Sequence, residues 1–214
     1  MKILFLHGKE SGPGGTKPTY LAEHGFTVIN PALPKDDFDA SVLIAQAAFD
    51  EHTPDVVVGS SRGGAVAMNI NIGDAGMVLL APAWKKWGNA KTVRPQTRVI
   101  HSRQDDIVLF ASSEELVASN PASVLVEIGT DHRLSTPEPL AAMLDAVHAV
   151  SALRTEARGT SSASETQEPP HQNKFWPRRE ETAFQAHQRL AEAFSWEVIE
   201  PETRRFHKSS LNPA

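Results

Sequence analysis

The residues from 55 to 68 constrain the fold of this chain more than any other stretch. A β-branched apolar run at residues 56–58 ends at Gly59, and a segment rich in serine and glycine leads from there into a helix-forming run at residues 65–68. This order predicts a buried strand, a sharp turn and a helix. Gly59, Ser61 and Gly63 fill the pattern G-x-S-x-G, whose turn strains the serine backbone and leaves no room for side chains at the flanking positions.

Ser61 is the candidate nucleophile, because such a turn lifts its hydroxyl clear of the sheet. The N–H of Arg62 comes next, at the start of the helix, and faces outward where it can stabilise an oxyanion. The pattern alone would also fit an inert turn. Its position between a buried strand and a helix favours the catalytic interpretation.

Apolar runs alternate with helical patterns along the first 153 residues. They predict strands at 2–6, 26–29, 56–60, 77–80, 97–100 and 124–128, and helices at 17–23, 39–51, 64–72, 109–118 and 137–153. Asp39 or Ser41 is the predicted N-cap of the second helix. Because most strand runs are apolar throughout, the fold class is α/β, a doubly wound, mostly parallel sheet of about six strands with helices on both faces.

A serine nucleophile needs a base and a group that orients the base. Among nine histidines, His132 is favoured because its loop follows the last predicted strand, at the carboxyl edge where such sheets bind ligands. His101 ends the fifth strand, but it is not favoured as the base, because the loop directly after it is the expected source of the orienting acid. That loop holds Asp105 and Asp106. Asp105 is the first choice, and Asp106 and Asp131 are alternatives that would otherwise be solvated loop carboxylates.

The loop after the first strand is the expected source of a second oxyanion donor. In His7-Gly8-Lys9 the backbone N–H of Lys9 is well placed for this role, and His7 is more typical of a structural residue. One such donor contributes roughly 2.7–4 kcal/mol to the transition state.

Taken together, these motifs resemble those of small serine hydrolases of the α/β-hydrolase superfamily, of the compact and nearly lidless esterase type. The resemblance covers about residues 1–153 and rests on four stretches in the family's order: Leu6-His7-Gly8, Gly59-Ser60-Ser61-Arg62-Gly63, Asp105-x-x-Val108 and Asp131-His132. It implies the α/β-hydrolase fold and places the acid at Asp105, three residues before Val108. Ser102 stands where the family usually has glycine. The motifs are specific for the superfamily and hardly specific for a substrate.

The glycine-rich loop at residues 8–17 superficially resembles a phosphate-binding loop. A P-loop ends in Gly-Lys-Ser/Thr, whereas here Thr16 and Lys17 stand in reversed order and Pro13 occupies a glycine position. The dinucleotide pattern G-x-G-x-x-G fits Gly12 and Gly14 but fails at Lys17. We therefore expect no nucleotide and no other cofactor.

Composition excludes several other classes of protein. The net charge of −5 gives no electrostatic case for nucleic acid or an anionic membrane, and the absence of cysteine excludes disulfides, thiolate metal sites and cysteine nucleophiles. No metal site is predicted. No apolar run approaches the roughly 20 residues of a membrane helix, and no signal peptide is visible, so the expectation is a soluble cytoplasmic protein.

The segment between the fourth and fifth strands, residues 81–96, is too short for a helical lid domain. Its Trp84 and Trp87 could form a wall of an acyl pocket or simply cover the edge of the sheet. Lys85, Lys86 and Lys91 could attract an acidic substrate, but loop lysines are commonly only solvated. A small open pocket favours short-chain acyl esters.

The last sixty residues differ in character from the rest. Residues 1–154 are the predicted hydrolase domain, residues 155–174 a polar flexible linker, and residues 175–214 a C-terminal helical appendage. The appendage holds a predicted amphipathic helix at 178–194 and a short strand at 196–199, and residues 209–214 are expected to be disordered. We expect it to dock on its own domain or on a second copy, which would form a homo-oligomer.

The expected function is hydrolysis of short-chain carboxylic esters, small-molecule acyl substrates, through an acyl-enzyme intermediate. Thioester, amide or lactone cleavage would use the same residues. A hydrolase-fold binding or scaffold protein with little turnover is the alternative from another class, because such a protein can keep the same three side chains.

Overall fold

The structure is a computed structural model that describes residues 1–160, 196–199 and 206–208, with side chains described up to residue 153. Strands and helices alternate along the first 160 residues. In chain order the elements are β1 (Lys2–Leu6), α1 (Thr16–Glu23), β2 (Thr27–Pro31), α2 (Phe38–His52), β3 (Val56–Ser60), α3 (Arg62–Met68), β4 (Gly76–Leu80), β5 (Arg98–His101), α4 (Phe110–Ala118), β6 (Val124–Glu127), α5 (Pro137–Thr160), β7 (Trp196–Ile199) and β8 (Phe206–Lys208).

The strands form one sheet in the order β6-β5-β4-β3-β1-β2-β7-β8. The first six strands in this order are parallel, as the sequence predicts. Strand β7 then pairs antiparallel with β2, with Val198 opposite Ile29, and β8 pairs antiparallel with β7. The sheet therefore has eight strands rather than about six, because two short C-terminal strands satisfy the backbone groups that the edge of β2 would otherwise expose.

Helices cover both faces of the sheet, and the six parallel strands contribute side chains to two cores. In β3, Val56 and Val58 lie in one buried cluster with residues of α1 and α5, while Val57 lies in the other with residues of α2, α3 and α4. All three valines are 0% exposed. Burial on both faces is the reason why this strand is apolar at every position instead of alternating.

Several predicted boundaries differ from the structure. The largest shift before α5 is that of α3, which spans Arg62–Met68 instead of 64–72. Helix α2 begins at Phe38, and its N-cap is Asp37, whose carboxylate accepts from the N–H of Ala40, instead of Asp39 or Ser41. Helix α5 runs on to Thr160, so the predicted linker at 155–174 begins inside a helix. The remainder of that linker, the predicted helix at 178–194 and the tail at 209–214 lie outside the described residues.

The strand order reverses between β1 and β3. From β1 the chain first adds β2 on one side, then returns to place β3, β4, β5 and β6 on the other. Such a point opens a crevice at the carboxyl ends of the strands, where ligands bind. The loop after β1 and the turn after β3 meet there. No helix in the described part of the chain is long and apolar enough to cross a membrane.

Candidate active site

Ser61 occupies the turn between β3 and α3 in a strained backbone conformation, with φ 54° and ψ −116°. A positive φ is uncommon for a residue with a side chain and is held only when the surroundings enforce it. Here they do: a Cβ on Gly59 would lie 2.6 Å from the carbonyl oxygen of Gly63, and one on Gly63 would lie 2.1 Å from that of Leu6. The turn can pass between β1 and β3 only with glycine at both positions.

The backbone N–H groups of Arg62 and Lys9 are the two candidate oxyanion donors. The N–H of Arg62 is the first of helix α3, and Gly8, the residue before Lys9, packs so closely that a Cβ on it would be 3.4 Å from the Ser61 Cβ. Within residues 1–160, neither the Arg62 N–H nor the Lys9 N–H donates to a protein acceptor. Both are therefore available to an oxyanion in the cleft that Lys9 and Arg62 help to line.

His132 reaches Ser61 from the loop between β6 and α5. Its Nε2 lies 2.9 Å from the Ser61 Oγ, and its Nδ1 lies 2.6 Å from Oδ2 of Asp105. A carboxylate can only accept, so the proton resides on Nδ1 and the Nε2 lone pair faces the serine hydroxyl. The imidazole is thereby in the form that can take the proton of Ser61.

Both carboxylate oxygens of Asp105 accept hydrogen bonds. Oδ1 accepts from the N–H groups of Ile107 and Val108, each at 2.8 Å, and Oδ2 accepts from His132 and from His101. Burial alone would raise the pKa of the Asp105 carboxyl, but the hydrogen bonds from Val108, His132 and Ile107 outweigh it and hold that pKa below its ordinary value. Asp105 is thus a buried carboxylate that stays ionised.

The two alternative acids lie elsewhere. Asp106 is exposed, and Asp131 accepts from the N–H of Leu134 at 2.9 Å, which closes the turn that carries His132. Leu134 is 1% exposed and has a φ of 49°, so its side chain anchors this turn in the core. Of the three candidate carboxylates, the structure brings only Asp105 to His132.

The sequence does not reveal that a second histidine contacts Asp105. His101, at the end of β5, is 0% exposed; its Nε2 lies 2.9 Å from Oδ2 of Asp105 and its Nδ1 lies 2.8 Å from Oγ of Ser113. Burial lowers the pKa of His101 more than the hydrogen bond to Asp105 raises it, which keeps the ring neutral. His101 then donates to Asp105 and accepts from Ser113. The one hint in the sequence is the spacing of four residues between His101 and Asp105, which indicates a contact in a helix but not in a loop.

The side chain of Arg62 is also structural in a way that the motif does not reveal. It is 1% exposed, and one guanidinium nitrogen donates to the carbonyls of Pro34 and Asp37 and to the hydroxyl of Ser41. Burial lowers its pKa. These bonds tie the start of α2 to the start of α3, so they fix the backbone that presents the Arg62 N–H.

Ser61 and His132 open into a cleft of about 780 Å³ formed by the loops after β1, β3, β4, β5 and β6. Trp87 lines it and stacks on Phe38. Trp84 does not line the cleft, contrary to the sequence prediction: it is 4% exposed in the core, where its Nε1 donates to the carbonyl of Ser112. Among the described residues, no group of three or more histidines and acids could hold a metal ion.

Solved structures share this arrangement of strands and helices. A presumed hydrolase of the α/β superfamily from Xanthomonas campestris pv. campestris is 22% identical over 72% of this chain and 97% of its own, with a TM-score of 0.55. A predicted CIB-like hydrolase from Thermoplasma acidophilum is 20% identical over 72% and 86%, with a TM-score of 0.54. The chain has the α/β-hydrolase fold. Est1E from Butyrivibrio proteoclasticus is similar at 15% identity over 69% and 88%, with a TM-score of 0.50. Neither a protein-family model nor a curated protein sequence matches the chain.

Within the α/β-hydrolase fold, the chain order Ser61, Asp105, His132 is that of the Ser, Asp and His of the fold's catalytic enzymes. The connection between β4 and β5, where many members insert a lid, contains no helix here. The cleft above Ser61 is therefore open.

Proposed function

We propose that this protein is a serine hydrolase that cleaves short-chain carboxylic esters through an acyl-enzyme intermediate. The observation that carries the proposal is the continuous hydrogen-bonded chain from the Ser61 hydroxyl through His132 to Asp105, at 2.9 and 2.6 Å. Its geometry is that of a nucleophile, a general base and an orienting acid.

In the first half-reaction, Oγ of Ser61 forms a bond to the acyl carbon while its proton passes to Nε2 of His132. The carbonyl electron pair moves to oxygen, and the N–H groups of Lys9 and Arg62 stabilise the resulting oxyanion. When the tetrahedral intermediate collapses, the bond to the alcohol oxygen breaks and that oxygen takes the proton from His132. Asp105 stabilises the imidazolium throughout.

Water completes the cycle. His132 takes a proton from a water molecule whose oxygen attacks the acyl carbon, and the second oxyanion forms against the same two N–H groups. Collapse breaks the bond to Ser61, which recovers its proton from His132, and the carboxylic acid leaves.

Two features of the cleft support short-chain esters as substrates. The β4–β5 connection carries no lid helix, and Ile107 and Leu109 stand 70% and 73% exposed at the cleft wall instead of lining a closed acyl tunnel. A long acyl chain would gain little burial in such an open cleft, whereas a short one fits against the wall.

The test is hydrolysis of p-nitrophenyl acetate, butyrate and octanoate by the wild type and by Ser61→Ala. We expect turnover that falls with chain length and drops to the background rate in Ser61→Ala. Ser60→Ala is the matched control, because Ser60 is the neighbouring serine and has no bond to His132. Equal rates for wild type and Ser61→Ala would contradict the proposal.

A further inference from the structure

The cleft carries a charge opposite to that of the whole chain. The chain has a net charge of −5, yet the charged side chains that line the cleft are one acid, Glu10, and six cations: Lys9, Lys17, Arg62, Lys85, Lys86 and Arg133. Clefts lined by one sign of charge attract ligands of the opposite sign.

Part of the charge in the cleft, both positive and negative, is already compensated within the protein. Lys9 lies 3.4 Å from Asp36, Lys85 pairs with Glu115, and Glu10 lies 3.7 Å from Lys35. The charges of Lys86 and Arg133 have no ion-pair partner among the described side chains. Arg62 bonds only to carbonyls and a hydroxyl, although the charges of Asp36 and Asp37 act on it. The uncompensated positive charge of the cleft is therefore concentrated in a few side chains.

Lys17 and Arg133 lie together on the wall next to His132. The ammonium group of Lys17, at the start of α1, donates to the backbone carbonyl of Arg133, which joins α1 to the loop after β6. Burial lowers the pKa of Lys17 to about 8, while the charge of Asp131 raises it. A cation held partly out of water gains more from an anionic ligand than a fully solvated one does.

The position of this wall decides which part of the substrate it meets. Arg133 directly follows His132, whose Nε2 must reach the oxygen of the departing alcohol to protonate it. The apolar side chains of Ile107 and Leu109 line the cleft from the segment after β5. We therefore infer that the cationic wall adjoins the leaving group.

We propose that the substrate is an ester whose leaving alcohol carries an anionic group, a carboxylate or a phosphate, which Lys17 and Arg133 bind. This inference rests on the ester hydrolysis proposed above and names its substrate class. The bonds made and broken are those of that reaction, and the anionic group takes part only in binding.

Three aryl acetates with the same acyl group test the inference: 4-acetoxybenzoate, its neutral methyl ester and 4-acetoxyphenyl phosphate. Each value of kcat/KM is divided by the rate of hydroxide hydrolysis to remove differences in leaving-group reactivity. We expect one or both charged esters to exceed the neutral one, and the preferred one identifies the anion as carboxylate or phosphate. We also expect 0.5 M NaCl to reduce the preference.

Three variants test whether the preference for charged esters depends on Lys17 and Arg133. Arg133→Gln changes an exposed side chain without removing the carbonyl that Lys17 uses, and we expect it to lower the charged-to-neutral ratio by about fivefold, mainly through KM. Lys17→Gln should lower the ratio in the same direction. Lys91→Gln is the matched control, because Lys91 lies over Trp84 and does not line the cleft.

Each result that contradicts the inference has a different meaning. Ser61-dependent hydrolysis of the neutral ester with no preference for charge, or a preference that both variants retain, would overturn the inference and leave the ester hydrolase intact. If the variants lost the same fraction of kcat/KM on neutral and charged esters, Lys17 and Arg133 would be positioning residues and would not bind the anion. A preference confined to an acyl-side anion, measured with p-nitrophenyl hydrogen adipate, would overturn the placement. No turnover of any ester would overturn both proposals.

Discussion

The turn that carries Ser61 and the loop that carries Asp105 achieve fixed geometry by different means. The turn is held by sterics: Gly59 and Gly63 lie where any Cβ would meet backbone atoms at 2.6 and 2.1 Å. The loop is held by hydrogen bonds, since Asp105 accepts from two backbone N–H groups and from two histidines. Steric requirements are visible in the residue types themselves, whereas a hydrogen-bond network depends on partners that only the fold brings together.

The largest expected effect tests the loop. In Asp105→Asn the side-chain amide must direct its NH₂ either at the two backbone donors or at the two histidines, so donors face donors in both orientations. The orientation that keeps both backbone bonds directs the NH₂ at His132. That ring can accept from the amide only with its own proton on Nε2, and it can then no longer accept from Ser61. We expect kcat to fall about 10⁴-fold, measured with p-nitrophenyl acetate.

Asp106→Asn is the matched control, because Asp106 is exposed and adjacent. We expect its kcat to stay within about twofold of the wild type, as for an ordinary surface substitution. If Asp106→Asn lost more activity than Asp105→Asn, the assignment of the acid would be reversed.

The next effect tests the turn. Gly63→Ala would place a Cβ 2.1 Å from the carbonyl oxygen of Leu6 and 2.5 Å from that of His7, and backbone atoms cannot move aside as a flexible side chain can. We expect a loss of about 3 kcal/mol in the free energy of unfolding, measured by denaturant titration. Gly12→Ala should be nearly neutral, since a Cβ there meets nothing within 4 Å. Similar stability for both variants would show that the turn is not sterically fixed.

A smaller effect tests whether His101 supports catalysis through its bond to Asp105 or only stabilises the core. His101→Asn removes the donor from Asp105 and should lower kcat by about tenfold, with KM little changed, since a hydrogen bond to a charged group contributes about 1.5–3 kcal/mol. Because the carboxylate that orients His132 then has one hydrogen bond fewer, the acid side of the kcat profile should change as well. His24→Asn, at an exposed histidine, is the control. A lower melting temperature with an unchanged pH profile would mean that His101 is structural only.

The smallest expected effect concerns stability against pH. Burial lowers the pKa of both His7 and His101 below the ordinary 6.5. Between the folded and unfolded pKa values the unfolded chain binds more protons, so their contribution is fully present above pH 6.5 and is lost as the pH falls towards the folded values. We expect the melting temperature to fall from pH 7 to pH 5, and to fall less in His101→Asn. A flat curve for the wild type would contradict the buried neutral state of these rings.

Local requirements account for what the sequence could predict. The apolar strands and the glycines around Ser61 follow from burial and sterics. Chain order was enough to favour His132 and the loop that holds Asp105 and Asp106, and the family resemblance placed the acid at Asp105. Other features depend on distant partners. Trp84 belongs to the core because its Nε1 reaches the carbonyl of Ser112, and the two C-terminal strands extend the sheet because the edge of β2 is open to them.

The side chains of Arg62 and His101 illustrate the same limit within the site. Arg62 bonds to Pro34, Asp37 and Ser41, which are more than twenty residues earlier in the chain, and His101 bonds to Ser113 twelve residues later. No residue pattern near either position specifies these partners. They follow from how the loops at the carboxyl ends of β2, β3 and β5 converge.

The most direct measurement of the central claim is covalent labelling of the folded protein with a fluorophosphonate, followed by intact mass and peptide mapping. The account predicts one adduct per chain, on Ser61, which is lost in His132→Ala and is strongly slowed in Asp105→Asn but not in Asp106→Asn. The absence of an adduct in folded wild-type protein, or an adduct on another serine, would contradict the assignment of Ser61 as a nucleophile activated by His132 and Asp105.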